Sequence, residues 1–317
     1  MGSRFAFPVP YGWFQVAYPD EFGPGDVLPL RYFGRDLVLW RAPDGTPALQ
    51  DAFCPHLGAH LGYGGHVNED MLQCPFHGWR YDVDGRCVAV PYSEKLNRKA
   101  TLFTYPLVER NGLTMAWYHP DRSVEPMWEI PEVEQLADPA FTPYMKSSYE
   151  IGTCLQEMAE NSVDPAHFEF VHGTDDVGIV ESYEQDGPRA TMLSAQKYVT
   201  PRGVIEGRID VYTHGPGFAM TMFSGIIDAL LVATSTPITD EHSQVRFNFT
   251  VRNPDGDETT TNLAKAFVAM INQQLQEDQP IWEHKEHLPT PALADTDGPI
   301  MKFRRWYAQF YAEPVST

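Results

Sequence analysis

The most informative part of the chain is the stretch CPHLGAHLGYGGHVNEDMLQCPFHGW, residues 54–79. It contains a cysteine and a histidine in the pattern C-x-H and, seventeen residues later, the same pair in the pattern C-x-x-H. A proline follows each cysteine and stiffens its loop, and several glycines allow tight backbone turns. We therefore expect two similar loops that share one metal centre, with the ligands Cys54, His56, Cys74 and His77.

The donor set of these loops favours an iron–sulfur centre over a zinc site. In a Rieske [2Fe–2S] centre, two cysteines hold one iron and two histidines hold the other, which raises the reduction potential above that of an all-cysteine cluster. A structural zinc site is the alternative, but zinc fingers usually keep a cysteine pair and a histidine pair. Because each loop here supplies one cysteine and one histidine, we predict a Rieske [2Fe–2S] cluster.

Composition limits the partners and the surroundings of the chain. Its 317 residues exceed a usual single core, so two domains are expected. A formal net charge of -20 disfavours binding to nucleic acid and to anionic lipid surfaces. No apolar run approaches the roughly 18 residues that a membrane span requires, and the N-terminus lacks the pattern of a signal peptide. The four cysteines are too few for a disulfide framework, so we expect a cytoplasmic protein.

The pattern of short apolar runs predicts the domain organisation. In the first third of the chain, such runs alternate with turn signals, which is typical of small antiparallel strands joined by hairpins. Residues 119–143 then hold several prolines in a charged background, the composition of a linker. We therefore predict one all-β domain over residues 1–125 and a second domain over residues 126–317. Within the second, the alternation in SQVRFNFTVR, residues 243–252, predicts a sheet strand with one buried face.

A second group of potential ligands lies in CLQEMAENSVDPAHFEFVHGT, residues 154–174. On a regular helix His167 and His172 would diverge by roughly 140°, so we expect the helix to bend or end between them. A proline and a glycine nearby offer reasons for such a break. One histidine here could be an ordinary core imidazole, but two beside Asn161 and Asp164 indicate a metal site.

A carboxylate that could complete this site lies near the C-terminus. In NLAKAFVAMINQQLQEDQPIWEHKEH, residues 262–287, apolar residues recur at helical spacing, and Asp278 falls on the apolar stripe. Burial of an unpaired carboxylate would be costly, so a cation or strong donors must meet it. Asp278 could pair with Arg304 or Arg305, or could cap a helix before Pro280.

Asp278 could instead bind a metal ion together with His167 and His172. Two histidines and one carboxylate form a facial triad that holds a mononuclear non-haem Fe(II) and leaves coordination positions open for O₂. Glu277 and Glu283 are the fallback carboxylates. The remaining histidines have no reliable ligand spacing and are expected to be surface or packing residues: His60, His66, His119, His214, His242, His284 and His287.

The two motifs together resemble the catalytic (alpha) subunit of the Rieske non-haem iron oxygenases. The pattern C-x-H…C-x-x-H followed by D-x-x-H-x-x-x-x-H matches residue by residue, in the same domain order, over the whole chain. DGPIMKFRRWYAQFY, residues 297–311, and QLQEDQPIW, residues 274–282, resemble the narrower group of 3-ketosteroid 9α-hydroxylase oxygenase components and sterol desaturases. The expected fold is α+β: an all-β Rieske domain followed by a catalytic domain with an antiparallel sheet flanked by helices, similar to a helix grip.

The resemblance implies roles for individual residues. Asp278 would be the third ligand of the mononuclear iron. Asp164 would link His77 of one subunit to His167 of its neighbour in a ring-shaped homotrimer. Asn161 corresponds to a catalytic-site asparagine that aromatic-ring dioxygenases place one residue further from this aspartate.

The resemblance also implies the reaction. Electrons would enter at the cluster, pass through Asp164 to the mononuclear iron, and reduce O₂ beside the substrate. No G-x-G-x-x-G motif joins a strand to a helix, so a separate flavin or iron–sulfur reductase that uses NAD(P)H is expected, with or without a ferredoxin. We predict monooxygenation of an unactivated C–H bond in a hydrophobic, steroid-like substrate. Part of the nearly uncharged stretch at residues 217–237, with Phe170 and Phe223, would line its pocket, although ordinary core packing is the alternative.

Other reactions remain open alternatives. Oxidative demethylation, desaturation and dioxygenation, on an aromatic or alkaloid substrate, use the same kind of iron site. A non-catalytic Rieske electron-transfer protein is the alternative from a different class. It would need only about the first 120 residues and no second metal, so the length of the chain and its second ligand group argue against it.

Overall fold

The computed structural model describes residues 4–174, 178–200 and 203–312. These residues form two compact units. Trp13–Met127 makes one unit, and residues 4–12 together with 128–312 make the other. Each unit encloses a hydrophobic core of its own.

The unit Trp13–Met127 is built from short strands in three small sheets. Their orders are β1-β11-β10, β2-β3-β4-β9 and β5-β6-β7-β8, and every neighbouring pair in the last two sheets is antiparallel. A 3₁₀ turn at Pro19–Glu21 follows the first strand. The strands are β1 (Gly12–Ala17), β2 (Val27–Tyr32), β3 (Arg35–Arg41), β4 (Pro47–Asp51), β5 (His66–Asn68), β6 (Met71–Gln73), β7 (Arg80–Tyr81), β8 (Cys87–Ala89), β9 (Thr104–Tyr105), β10 (Leu107–Arg110) and β11 (Leu113–Tyr118).

The core of this unit extends to the predicted cluster ligands. Trp40, Leu72 and Tyr81 are fully buried, and Cys54 and Cys74 belong to the same hydrophobic cluster. The two thiols therefore lie in an apolar environment, where a thiolate is stable only beside a compensating positive charge.

The described residues of the second unit form one large sheet and four α-helices. Its seven strands have the order β12-β18-β17-β16-β15-β14-β13, and all neighbours are antiparallel. The described elements are β12 (Met145–Ile151), α1 (Leu155–Ala159), α2 (His167–His172), β13 (Ile179–Asp186), β14 (Arg189–Thr200), β15 (Gly203–His214), β16 (Phe218–Ser224), β17 (Ala229–Pro237), β18 (Ser243–Val251), α3 (Glu258–His284) and α4 (Ile300–Tyr307), with 3₁₀ turns at Glu134–Leu136, Glu160–Val163 and Ala308–Phe310.

Helix α3 packs against the sheet through aromatic and aliphatic side chains. The ring of Phe267 on α3 lies 5.0 Å from the ring of Phe223 on β16, in an edge-to-face arrangement. Leu231 and Phe249 pair with each other across β17 and β18 and join the same cluster. This packing fixes α3 over the sheet and so determines where the functional side chains of α3 lie.

The two ends of α3 are held by side chains from elsewhere in the chain. At the start, the Asp257 carboxylate accepts a hydrogen bond from the main-chain N–H of Thr260 at 2.8 Å, a helix cap. At the end, the Arg4 guanidinium donates to the main-chain carbonyls of Trp282 and Glu283, which helical hydrogen bonds leave free. None of the helices that the structure describes is both long and apolar enough to cross a lipid bilayer.

Strand β18 differs from the prediction of one buried face. Val245, Phe249 and Val251 are buried as expected and Phe247 is partly buried, but Asn248 and Thr250 on the opposite face are also fully buried. Asn248 donates to the carbonyl of Val232, and Thr250 donates to the carbonyl of Thr142 in a segment that packs beside the strand. The prediction failed because polar residues can be buried when their hydrogen bonds are satisfied.

Candidate active site

The two loops that carry the predicted cluster ligands have the same local conformation. The N–H of Gly58 donates to the carbonyl of Cys54 at 2.9 Å, and the N–H of Gly78 donates to the carbonyl of Cys74 at 3.1 Å. The φ angles of the two glycines are 76° and 70°, in the left-handed region that other residues rarely adopt. The shared spacing C-P-x-x-G thus forms the same turn twice.

The histidines of these loops lie side by side. The ring centroids of His56 and His77 are 4.7 Å apart, and His56 stacks on Trp79 at 4.5 Å. The Nδ1 atom of His77 is buried and has no hydrogen-bond partner among the described residues. A buried nitrogen of this kind requires an explanation, and a metal ion is one.

The cysteines of the loops also suit a metal cluster. Cys54 and Cys74 are each 2% exposed and belong to one hydrophobic cluster. Burial raises the pKa of the Cys74 thiol, so its thiolate needs a nearby cation. The donor set, its burial and the unpartnered His77 nitrogen fit a [2Fe–2S] cluster bound by two cysteines and two histidines.

A buried tyrosine contacts one of these sulfurs. The Tyr81 hydroxyl lies 3.1 Å from the Cys54 Sγ. Burial raises the pKa of Tyr81 far above its usual value, so the hydroxyl keeps its proton. Tyr81 is therefore the donor towards a Cys54 thiolate. The sequence did not single out this residue.

In the second unit, the two predicted histidine ligands lie on one short helix. Helix α2 begins at His167 and ends at His172, and their ring centroids are 5.2 Å apart. The predicted break between them is wrong. The chain leaves the preceding 3₁₀ turn at Asp164, before α2 begins, and Gly173 ends α2 in the left-handed conformation. The imidazole side chains are long enough to converge beside an unbroken helix.

The carboxylate of Asp278 completes this group. One nitrogen of each histidine and one oxygen of Asp278 all lie within 4.8 Å of one another. Asp278 is 8% exposed, and burial raises the pKa of its carboxyl group. The neighbouring imidazoles of His167 and His172 oppose this rise. A buried carboxylate between two imidazoles is the donor set of a mononuclear non-haem iron site, and the residues fit that ion.

Neither arginine that the sequence offered as a partner for Asp278 forms an ion pair with it among the described residues. The Arg304 guanidinium binds Glu160 through two hydrogen bonds of 2.5 and 2.8 Å, and Arg305 is exposed. Asp278 lies inside α3, so it does not cap a helix before Pro280.

Neither fallback carboxylate joins the three-ligand group. The Glu277 Oε2 lies 3.0 Å from the Nδ1 of His172, whereas the Nε2 of the same ring faces the Asp278 Oδ2 at 3.5 Å. Glu283 instead accepts from the main-chain N–H of Gly152 at 3.2 Å and from Gln279 at 2.7 Å. Asp278 is thus the carboxylate that faces both histidines.

The predicted catalytic residues surround the same group. The Asn161 side chain opposes the rise that burial causes in the pKa of Asp278, and its oxygen accepts from the Trp282 indole N–H at 3.3 Å. The main-chain carbonyl of Asp164 accepts from the Nδ1 of His167. The Asp164 carboxylate accepts from the main-chain N–H of Ala166 at 3.1 Å. Trp282 was missed as a site residue because its helical spacing indicated only core packing.

A cavity of about 270 Å³ lies beside the three potential ligands. Its walls come from the segment around α1 and α2, from α3, and from one face of the sheet between β14 and β18. On β16, the alternate residues Ala219, Thr221 and Phe223 line it, as expected for residues that share a strand face. The walls are mainly apolar, so the cavity suits a hydrophobic molecule.

The two predicted pocket phenylalanines have different positions. Phe223 lines the cavity, whereas Phe170 lies outside it, contrary to the sequence-based prediction, and is 81% exposed. On α2, Phe170 lies about 130° around the helix from the direction midway between the two histidines. It therefore faces away from the ligands. The stretch at residues 217–237 contributes other lining residues on β16 and β17, such as Leu231.

Comparison with known proteins shows the same two parts in the same order. A family model for the Rieske [2Fe-2S] domain matches residues 12–106. A family model for the 3-Ketosteroid 9alpha-hydroxylase C-terminal domain matches residues 116–311.

Two relatives extend over nearly the whole chain. Cholesterol 7-desaturase nvd 1 of Ciona intestinalis is 32% identical over 329 residues, which cover 96% of this chain and 69% of that protein. The 3-ketosteroid-9-alpha-monooxygenase oxygenase component of Rhodococcus rhodochrous is 30% identical over 339 residues, which cover 98% of this chain and 85% of that protein.

Solved structures show the same fold. Dicamba monooxygenase bound to dicamba superposes with a TM-score of 0.76 at 20% identity, over 94% of this chain and 96% of that one. NdmA of Pseudomonas putida CBB5 with caffeine superposes with a TM-score of 0.73 at 21% identity, over 93% of this chain and 89% of that one. Fold and site thus define a protein with one ligand group suited to an iron–sulfur cluster and a second suited to a mononuclear iron.

The chain belongs to the Rieske non-haem iron oxygenases, within the family of the 3-ketosteroid 9α-hydroxylase C-terminal domain. It is an oxidoreductase of the monooxygenase class. Its cofactor is a Rieske [2Fe–2S] cluster, and O₂ is a co-substrate. His167, His172 and Asp278 fit a mononuclear non-haem iron as a second cofactor.

Proposed function

We propose that the protein is an oxygenase component that hydroxylates a C–H bond of a large, mostly apolar, steroid-like substrate. The observation that carries this proposal is the mainly apolar cavity beside His167, His172 and Asp278. Two relatives of high coverage are named for cholesterol desaturation and 3-ketosteroid monooxygenation, which supports a sterol or steroid.

A few polar groups would orient this substrate. Gln274 lines the cavity one helical turn before Asp278. Its side-chain amide makes no hydrogen bond to any residue that the structure describes. An amide without a partner in a mostly apolar cavity is suited to bind a hydroxyl or carbonyl oxygen of a ligand. Gln274 would then fix which carbon faces the ligand group.

The metal ligands are proposed residue by residue. Cys54, His56, Cys74 and His77 would hold the [2Fe–2S] cluster, and His167, His172 and Asp278 would hold the mononuclear iron. When bound, that iron supplies the activation of O₂ with electrons from the cluster.

The protein groups around the iron ligands would orient them. Because an acceptor faces the Nδ1 of each histidine, the proton of each neutral ring stays on Nδ1, and Nε2 is left for the metal. Asn161 would hold the Asp278 carboxylate in place, and Trp282 would fix the orientation of the Asn161 amide. The apolar walls, including Phe223, would keep bulk water away from the reacting carbon.

Asp164 is proposed to carry electrons between subunits of a homotrimer, from His77 of one subunit to His167 of its neighbour. Its carbonyl is bound to His167, and one carboxylate oxygen is bound to Ala166. The other carboxylate oxygen has no hydrogen-bond partner within residues 4–174, 178–200 and 203–312. That oxygen is therefore available to a group from another subunit.

The remaining partners and the surroundings are also proposals. The family relative named an oxygenase component supports a separate NAD(P)H-dependent flavin or iron–sulfur reductase, with or without a ferredoxin. None of the four cysteines, all of which the structure describes, forms a disulfide, which supports a reducing, cytoplasmic location. We propose residues 1–125 and 126–317 as the two domains; in the structure, the change of compact unit at Met127 supports a boundary near this point.

Desaturation is the second candidate reaction. The relative of 32% identity is named a cholesterol 7-desaturase, and desaturation needs the same ligand group beside the same kind of cavity. Hydroxylation and desaturation differ in product mass, by the gain of an oxygen atom or the loss of two hydrogen atoms.

The test of the proposed function is turnover by the iron-loaded protein. The protein would be incubated with reductase, NAD(P)H, O₂ and a panel of sterols, 3-ketosteroids, aromatic acids and alkaloids, and the products read by mass spectrometry. We expect an added oxygen on a steroid. Turnover confined to aromatic acids or alkaloids would overturn the substrate class.

The ligand role of Asp278 is tested by Asp278→Ala. We expect this variant to lose the mononuclear iron and to keep the visible absorption of the cluster, because the two ligand groups lie in separate compact units. Iron and absorbance would be measured on the same sample. Full iron content in the variant would show that Asp278 is not a ligand.

A further inference from the structure

His172 is held at both ring nitrogens by neighbouring residues of α3. Its Nε2 faces the Asp278 carboxylate at 3.5 Å, and its Nδ1 lies 3.0 Å from the Glu277 carboxylate. The His172 side chain is 2% exposed. Successive helix residues point about 100° apart, so Glu277 and Asp278 can contact opposite edges of one imidazole.

We infer that Glu277 is a positioning residue for the mononuclear iron: its carboxylate orients His172 and strengthens the bond that His172 makes to the metal. The inference rests on the proposed role of His172 as a ligand. A carboxylate that accepts the Nδ1 proton fixes the tautomer with a free Nε2, and it makes that nitrogen a stronger electron donor.

Glu277 is itself held in place. The Gln273 amide, one helical turn earlier, donates to its other oxygen at 2.9 Å. Its side chain remains 34% exposed, so the carboxylate does not require a metal ion to compensate a buried charge. This distinguishes Glu277 from Asp278, which is buried among the ligands.

His167 and His172 differ in the kind of acceptor that their Nδ1 atoms face. The Nδ1 of His167 faces the main-chain carbonyl of Asp164, an acceptor that no substitution removes. The Nδ1 of His172 faces a charged side chain. The contribution of Glu277 can therefore be removed by mutation while the other imidazole keeps its own acceptor.

The test measures Fe(II) affinity separately from turnover. Full-length protein with an intact cluster and no mononuclear iron would be titrated with Fe(II) under anaerobic conditions, in competition with a chelator. We expect Glu277→Ala to bind Fe(II) about 10- to 100-fold more weakly than the wild type. Glu277→Gln should lie between the two, because its amide oxygen can still accept the Nδ1 proton without supplying a charge.

Glu283→Gln is the matched control. It makes the same change on the same helix, at a carboxylate that contacts the Gly152 main chain and no iron ligand. We expect it to bind Fe(II) as the wild type does. The visible spectrum of Co(II) bound in place of iron should change in Glu277→Gln and not in Glu283→Gln, since it reports the ligand arrangement.

Two outcomes would overturn the inference. Wild-type affinity in Glu277→Ala would overturn it, and so would equal weakening in Glu277→Gln and Glu283→Gln, because that pattern reports a general effect on α3. If Glu277→Ala does not fold, the comparison of the two glutamine variants decides. Absence of Fe(II) binding by the wild type would overturn the proposed iron site itself.

Discussion

The ring nitrogen that is left for a metal differs between His77 in the cluster loops and the two histidines of α2. On α2, protein acceptors face the Nδ1 of His167 and His172, so Nε2 remains for a metal. In the cluster loops, the buried and unpartnered atom of His77 is Nδ1. The surrounding hydrogen bonds thus determine which nitrogen of a histidine can bind a metal.

Tyr81→Phe is expected to lower the reduction potential of the cluster. The substitution removes the hydroxyl that contacts the Cys54 sulfur, and hydrogen bonds to cluster sulfurs stabilise the reduced, more negative state. A net hydrogen bond of about 1 kcal/mol corresponds to roughly 40 mV in a one-electron couple. A redox titration followed by electron paramagnetic resonance measures the shift.

The control for this prediction is Tyr105→Phe. Tyr105 is also buried in the first unit, but its hydroxyl contacts Asp51 at 3.4 Å. We expect the potential of this variant to equal that of the wild type. A Tyr81→Phe cluster with an unchanged potential would show that the hydroxyl does not act on the reduced cluster.

Asp164→Asn is expected to retain both metals while turnover falls at least about tenfold, equivalent to about 1.4 kcal/mol in activation free energy. The contact to His167 uses the main-chain carbonyl of Asp164, and an asparagine oxygen can still accept from Ala166. Only the charge of the proposed electron link is lost. Iron content and single-turnover rates measure the two effects. A normal rate with the reductase would exclude the proposed link.

Secondary-structure elements bring the site together through close packing. Helix α3 places Gln274, Asp278 and Trp282 on the cavity at intervals of one turn. The segment before α4 packs against the 3₁₀ turn that precedes Asp164. At Gly298, an added Cβ would lie 1.7 Å from the carbonyl oxygen of Val163, so only glycine permits this approach.

Gly298→Ala is therefore expected to displace the turn before Asp164 and to destabilise the protein by about 1–3 kcal/mol. The same displacement should weaken Fe(II) binding, since α2 follows this turn directly. Unfolding in denaturant and anaerobic Fe(II) titration measure the two effects.

Gly152→Ala is the control for this glycine, because its nearest neighbouring atom would lie 3.6 Å from the new Cβ, an ordinary contact. Equal stability and Fe(II) affinity in the Gly298 and Gly152 variants would contradict the prediction.

The two compact units separate the two kinds of iron chemistry. The proposed cluster ligands lie within Trp13–Met127, and their cysteines belong to its hydrophobic core. The three ligands of the proposed iron site belong to the other unit and border its cavity. The second site therefore has fewer protein ligands and is more accessible to small molecules.

Because the proposed mononuclear site has fewer protein ligands and borders a cavity, we expect its iron to be removed more easily than the cluster. Anaerobic dialysis against an Fe(II) chelator should remove the mononuclear iron and abolish turnover while the visible absorption of the cluster persists. Added Fe(II) should restore turnover, because the protein ligands are already in place. Loss of cluster absorption in parallel with the mononuclear iron would contradict the idea of two independent sites.

The local motifs were predictable and the packing between distant segments was not. The proposed ligands Cys54 and Cys74 could be singled out because their loops repeat one short pattern, and the strands could be found from their alternation. Three predictions were wrong. Phe170 was expected to line the pocket, α2 was expected to break between its two histidines, and β18 was expected to have only one buried face. The buried polar face of β18 depends on Thr142, which lies 108 residues away in the chain. The other two errors arose within α2 itself, where the side-chain directions on one short helix were misjudged.

The amino-acid order alone was enough to identify the cluster loops, the two-histidine motif, the α+β fold class and the oxygenase family, because these depend on residues close together in the chain. Folding settled that Asp278, and neither Glu277 nor Glu283, faces both histidines. It also settled that the cavity borders this group. The physical reason is that α2 and α3 are about 100 residues apart, so only their packing determines which carboxylate points between the imidazoles.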